Sequence, residues 1–212
     1  MLDIEYKGGN TVVFTTKKTT LVADPKTSII GLKDTSVKGA IELATEPRFA
    51  LNSADARLVI EGPGEYEVSD FSIHGVSTLR HMDTEADEKI ATIYRIEVGD
   101  VRIALLGNIA AKLTEDQLEE IGMVDIVILP VGGNGYTLDA TSAVSIIRQI
   151  DPKVVIPVHY EDGAVKYEVP QDSLETFVKE LGVIKEDAVS KYKVKAATSL
   201  PQTLTVVEIA RS

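Results

Sequence analysis

The chain has 212 residues, 44% of them hydrophobic, which is enough for one domain with a sizeable core. Against 33 acidic residues stand 22 Lys and Arg, a net charge of −11, and no basic cluster offsets it; this weighs against nucleic acid and against an anionic membrane surface as partners. Cysteine is absent, which excludes disulfides, thiolate metal sites and Cys nucleophiles, and the lack of Trp leaves the core to Val, Ile, Leu and Ala.

The N-terminal half reads as β-rich. Leu2 to Tyr6 alternates as a strand does rather than as a signal peptide. Thr11 to Phe14 follows a Gly8-Gly9-Asn10 turn, and Thr20 to Ala23 runs into Asp24-Pro25, giving an antiparallel meander. A short apolar strand, Ala40 to Ala44, comes next. Arg57 to Ile60 leads into the turn Gly62-Pro63-Gly64, and Tyr66–Val68 with Phe71–Val76 forms a hairpin. Lys89–Val98 and Val101–Leu106 pair around Gly99-Asp100.

Later the pattern changes. Thr114 and Gln117 form a capping box for a helix that stops at Gly122. Val124 to Pro130 is a continuous apolar run, as in a strand buried on both faces. Ala143, Ile146, Ile147 and Ile150 mark a helix, Val154 to Pro157 a second buried strand, and Leu174, Phe177, Val178 and Leu181 another helix ended by Gly182. Tyr192–Val194 and Leu204–Ile209 close the chain as strands. With no linker or repeat, residues 1–212 read as a single domain of two packed sheets with helices outside. No apolar run approaches transmembrane length, and a cytoplasmic location is expected.

Five segments in order resemble the metallo-β-lactamase superfamily, in particular its branch around L-ascorbate-6-phosphate lactonase. They are Ala23-Asp24-Pro25, Gly62 to Val68 (Gly-Pro-Gly-Glu-Tyr-Glu-Val), Gly107-Asn108, Leu129 to Gly135, and Pro157-Val158-His159-Tyr160. Together they span most of the chain from Leu2 to Tyr160. The resemblance implies an α/β fold, a four-layer αβ/βα sandwich of two mixed β-sheets, and in relatives a zinc-dependent hydrolase.

The same resemblance implies where metal ligands should fall. The signature Thr-His-x-His-x-Asp-His corresponds to Thr45 through Leu51, and only the Thr is kept. The two leading His positions hold Glu46 and Arg48, and the Asp and last His positions hold Ala50 and Leu51. The bridging Asp position holds Asn108, while His81 and His159 stand at the remaining His positions. Catalytic zinc takes three protein ligands and leaves one position for water. Here a neutral amide replaces the bridge and a guanidinium stands at a ligand position, so no metal or other cofactor is expected.

Three functions follow from these residues. The first is a degenerate member that binds a small molecule or protein, or acts as a structural subunit. The second is a hydrolase of a lactone, ester or phosphoester using one zinc held by Glu46, His81 and His159. The nuclease branch ranks last, since the signature and a basic surface are missing. Asp24 is either a group orienting the site or a turn cap before Pro25. His159 reads as a histidine hydrogen-bonded at the end of a buried strand, His81 as a loop residue in the acidic stretch Asp83–Glu88, and His74 as structural. Glu65 and Glu67 lack partners for paired-carboxylate chemistry. Gly132 to Gly135 could cradle an anion before the following helix, but reads rather as a substrate-lining or purely conformational loop, and no Gly-x-Ser-x-Gly elbow occurs.

Overall fold

The computed structural model of the chain describes residues 1–81 and 90–212. The acidic run Asp83–Glu88 and the first residue of the strand expected from Lys89 lie outside the described residues.

The meander forms as the alternation requires. In β1 (Leu2–Gly8) Leu2, Ile4 and Tyr6 point inward, while Glu5 pairs outside with Lys7 and Lys191. Its partners β2 (Thr11–Thr15) and β3 (Thr20–Ala23) run antiparallel. The chain then continues as β4 (Ile41–Ala44) and β5 (Leu58–Glu61), which add in parallel. With β12 (Tyr192–Val194) beside β1, the first sheet has the order β12-β1-β2-β3-β4-β5.

At Gly62 the chain crosses to the second sheet. This sheet opens with the hairpin β6 (Gly64–Val68) and β7 (Phe71–Leu79), followed by β8 (Ile90–Val98) and β9 (Val101–Leu105), all antiparallel. Helix α1 (Glu115–Ile121) carries the expected capping box of Thr114 and Gln117. Parallel strands β10 (Ile126–Pro130) and β11 (Val154–Val158) come next, linked by helix α2 (Ala140–Ile150). Helix α3 (Leu174–Leu181) packs on α2 in the same apolar cluster. The last expected strand is shorter than its apolar run: β13 covers only Thr205–Val206, and Ile209 forms an isolated bridge with Val189 outside both sheets. The order is β13-β11-β10-β9-β8-β7-β6.

The two mixed sheets pack face to face, as the expected α/β class requires. Leu2, Ile4, Phe14, Leu21, Ile41 and Leu43 from the first sheet meet Ile73, Ile96, Ile103, Ile126, Ile128 and Ile156 from the second. A separate cluster joins the outer face of the second sheet to α1, α2 and α3. Over the first sheet the outer layer is thinner. There Val13 and Val22 are covered by Val37, Ala40, Leu51 and Ala56 from the loops before and after β4. Glu42 holds this covering layer, since its buried carboxylate accepts the backbone N–H groups of Leu51, Asn52 and Ser53 at 2.5, 2.8 and 3.1 Å.

Candidate functional site

Asp24, Thr45, Asn108 and His159 directly follow, or lie within three residues of, the C-terminal ends of β3, β4, β9 and β11. Arg80 and His81 follow β7, whose direction matches β9 because both are antiparallel to β8. These ends therefore open on one side of the two sheets, the side on which open α/β sheets present ligand sites.

The sequence-predicted residues Glu46, Arg48, Asn108 and His159 are brought into one hydrogen-bonded network. Glu46 is 1% exposed. Arg48 approaches it with Nε at 2.9 Å from Oε2 and Nη2 at 3.3 Å from Oε1, and Arg80 Nη1 lies 3.2 Å from Oε2. Asn108, fully buried, donates from Nδ2 to Glu46 Oε1 at 3.2 Å. Its Oδ1 accepts from Asn10 Nδ2 at 3.0 Å, and Asn10 Oδ1 lies 2.7 Å from His159 Nδ1. Asn10 was not among the predicted site residues. The Gly8-Gly9 turn, with φ of +112° and +56°, swings it inward from the β1–β2 connection to 5% exposure. A buried amide in a turn was the available signal.

Aromatic rings enclose the network. His159 stacks on Tyr167, with ring centroids 4.6 Å apart, and lies 5.4 Å from Tyr136. The Arg48 guanidinium sits over the rings of Phe49 and Tyr136 at 4.6 and 4.9 Å, within cation–π range. The expectation of a hydrogen-bonded histidine after a buried strand describes His159 well: it is 2% exposed, and its backbone N–H donates to Tyr6 Oη at 3.2 Å. Its Nε2 is buried and has no hydrogen-bond partner among the described residues.

The electrostatics follow from burial and from the charges facing each group. Burial pulls His159 down, and the Arg48 cation adds to the effect, so the ring titrates at about 3 and is neutral near pH 7. For Glu46, burial pushes the carboxyl up, and Arg48 and Arg80 oppose the push. Burial lowers Arg48, but Glu46, with Tyr136 and Glu168, raises it, and the net shift is upward.

Asp24 lies one step behind the network. Its oxygens accept the Thr45 N–H and hydroxyl, each at 2.7 Å, and so fix the residue before Glu46. It has a left-handed φ of +50°, and burial pushes its carboxyl up to about 7 against the Thr45 hydrogen bonds. His81 is half-buried, and its backbone N–H donates to the Asn108 carbonyl at 2.8 Å, which ties the end of β7 to the site.

Other sequence candidates lie elsewhere. Glu65, Glu67 and His74 line an open groove of about 460 Å³ beside α1, which shares no lining residue with the network. His74 is 3.6 Å from Glu65 and 3.8 Å from Glu120 there. The Gly132–Gly135 segment is held by close local packing. Gly133 N–H bonds Thr137 Oγ1 at 2.8 Å, and a side chain at Gly132 would collide with Gln171 Oε1 and the His159 carbonyl. Helix α2 is capped by its own Asp139, which accepts from Ser142 N at 2.7 Å.

A sequence profile of the β-lactamase superfamily domain matches residues 3–159, about three-quarters of the chain. The chain belongs to this superfamily. A metal-dependent hydrolase of Natranaerobius thermophilus is 39% identical over 64 residues, which are 30% of this chain and 27% of that protein. One of Carboxydothermus hydrogenoformans is 44% identical over 48 residues, 23% of this chain and 21% of that protein. The alignments thus span about a quarter of these relatives' length. A protein of the metallo-β-lactamase superfamily from Thermotoga maritima, assigned as a Zn-dependent hydrolase, superposes with a TM-score of 0.77 at 21% identity, covering 99% of this chain and 100% of its own. A metallo hydrolase from Ignicoccus hospitalis gives 0.65 at 15% identity, over 85% of this chain and 90% of its own. At these identities the two structures establish the shared fold.

Among the described residues, no group of three or more His, Asp or Glu side chains is arranged to hold a metal ion. No described helix is long and apolar enough to cross a membrane.

Proposed function

We propose that this protein is a divergent superfamily member that works without the family's zinc hydrolase chemistry, as a binding or structural protein. One observation carries the reading: both oxygens of Glu46 are engaged by Arg48, Arg80 and Asn108 at the positions where relatives hold metal. A zinc centre needs about three ligands with free lone pairs and a negative or neutral donor set. Here the Glu46 lone pairs are directed at cations, Asn108 turns its N–H toward Glu46, and Ala50 and Leu51 offer no donor. A guanidinium among the ligand positions repels a dication. The residues therefore do not fit the metal.

The same reading places the protein in the cytoplasm with a small molecule or a protein as partner. Its net charge of −11 argues against nucleic acid and anionic membranes. The finer placement beside the L-ascorbate-6-phosphate lactonases is supported by the Gly62–Val68 and Pro157–Tyr160 segments.

A second reading, a hydrolase with one metal held by Glu46, His81 and His159, is favoured by one observation: His159 Nε2 is buried without a partner among the described residues. Metal analysis of zinc-supplemented, purified protein separates the two. The first reading expects substoichiometric metal that dialysis removes. Stoichiometric, tightly held metal that disappears in His159→Ala overturns it. If chelators and His159→Ala leave a measured activity unchanged, the second reading fails.

A further inference from the structure

We infer that the chain His159–Asn10–Asn108–Glu46 is a one-way hydrogen-bond relay standing in place of a metal centre, with Arg48 as resident cation and His159 Nε2 as a fixed acceptor. The inference rests on the metal-independent reading above and adds to it the protonation pattern of the site.

The direction of the relay follows from its carboxylate end. An ionised carboxylate only accepts hydrogen bonds. Glu46 lies between the guanidiniums of Arg48 and Arg80, so the group 3.2 Å from its Oε1 must be the N–H₂ of Asn108. That turns Asn108 Oδ1 toward Asn10, 3.0 Å away, which must then present its own N–H₂. Asn10 Oδ1 is left facing His159 Nδ1 at 2.7 Å, and two acceptors at that separation would repel, so Nδ1 carries the proton. Flipping both amides would set Asn108 Oδ1 against the Glu46 carboxylate, oxygen to oxygen. All three links are buried, so no solvent relieves a wrong orientation.

With the proton on Nδ1, Nε2 holds its lone pair. The ring is clamped by stacking on Tyr167 and by Tyr136, whose other contact is the Arg48 guanidinium. The site thus sets a permanent cation and a neutral acceptor around one tyrosine ring. A lone pair at Nε2 accepts only from a donor, such as a water or a hydroxyl. Asn10 and Asn108 act as positioning residues.

Nitrogen-15 NMR of the full chain at pH 7 tests this directly, because only His74, His81 and His159 contribute imidazole signals. The expected result is a single neutral His159 tautomer protonated at Nδ1, unmoved by chelator or by one equivalent of zinc. Asn10→Ala removes the acceptor, and the expected result is a mixture of both tautomers. An Nε2–H tautomer in a wild-type protein indifferent to zinc overturns the relay alone. So does an unchanged tautomer in a folded Asn10→Ala. Displacement of the His159 signals by stoichiometric zinc overturns the relay and the metal-independent reading together. Should Asn10→Ala not fold, the wild-type tautomer still decides.

Discussion

The guanidinium of Arg48 faces both oxygens of Glu46, donating from Nη2 to Oε1 at 3.3 Å and standing with Nε 2.9 Å from Oε2 as an ion pair. Glu46 is buried, whereas the Arg48 side chain is 32% exposed, so the two partners have unequal stakes. Removing Arg48 leaves a buried carboxylate with Arg80 and Asn108 only. Removing Glu46 frees a cation that reaches water.

Double-mutant unfolding in urea measures the asymmetry. Arg48→Met is expected to cost about 2 kcal/mol, below the ~3–5 for breaking a fully buried pair, because Arg80 and solvent share the load. Glu46→Gln is expected to cost less, and the double variant less than the sum, with a coupling of about 1 kcal/mol or more. Strict additivity of the two losses would show that the pair contributes nothing.

Two buried groups give the stability profile opposing slopes in pH. Burial raises Asp24 to about 7, so between its ordinary range and pH 7 the folded state binds more protons than the unfolded state. Stability from Asp24 is therefore full at low pH and falls as pH rises through that window. His159, lowered to about 3, is the reverse case: the unfolded ring takes up the proton first, and stability is lost as pH falls below its ordinary value near 6.5. Between roughly pH 4 and 6.5 the two contributions oppose, each with a limiting slope of about 1.4 kcal/mol per pH unit. Asp24→Asn is expected to expose the histidine slope, its stability rising relative to wild type across this range. A parallel displacement of the two curves would refute the assignment.

Most strands and the core faces were legible because alternation and apolar runs record which faces are buried, whereas the order of strands within each sheet was not. Leu2, Ile4 and Tyr6, or Ile126 to Pro130, are dictated by water alone. The site was legible where a motif could be laid on it, which located Glu46, Arg48, Asn108 and His159. The connections among them were not. Asn10 stands about a hundred residues before its partner Asn108, and a sequence carries no sign of which buried amide faces which. The pairing of Arg80 with Glu46 across the two sheets was likewise invisible, as local spacing does not reveal contacts made by tertiary packing. The strand expected to reach Ile209 ended at Val206, and beyond it the chain keeps only isolated bridging, as between Ile209 and Val189.

Glu42 is a further case of a buried acid with an assigned task. It holds three consecutive backbone N–H groups, those of Leu51, Asn52 and Ser53, and so anchors the loop that follows Arg48. Glu42→Gln keeps the volume but turns an N–H₂ toward at least one of these donors. The expected loss is about 1–3 kcal/mol, the cost of an unpaired buried polar group. Hydrogen exchange at Leu51, Asn52 and Ser53 should rise well beyond that elsewhere. Uniform acceleration across the chain would argue that Glu42 serves global stability and not this loop.

Gly107 sets the approach of Asn108 to the rest of the site. Its φ is +62°, and a Cβ there would come within 2.7 Å of Thr45 Cβ and Oγ1, the hydroxyl that Asp24 accepts. Gly39 offers a matched control: its φ is +70°, but a Cβ there meets nothing within 4 Å. Gly39→Ala should therefore cost only the left-handed backbone strain, about 1 kcal/mol. Gly107→Ala should cost that strain plus the collision with Thr45, for a total of about 3 kcal/mol or more, in the range of core overpacking. The collision also pushes Thr45 and Asn108 apart, so the His159 ring signals should shift in Gly107→Ala and stay fixed in Gly39→Ala. Equal losses in the two variants would mean that Gly107 is needed for its backbone angle alone, and that Thr45 does not brace the residue linking Glu46 to Asn10.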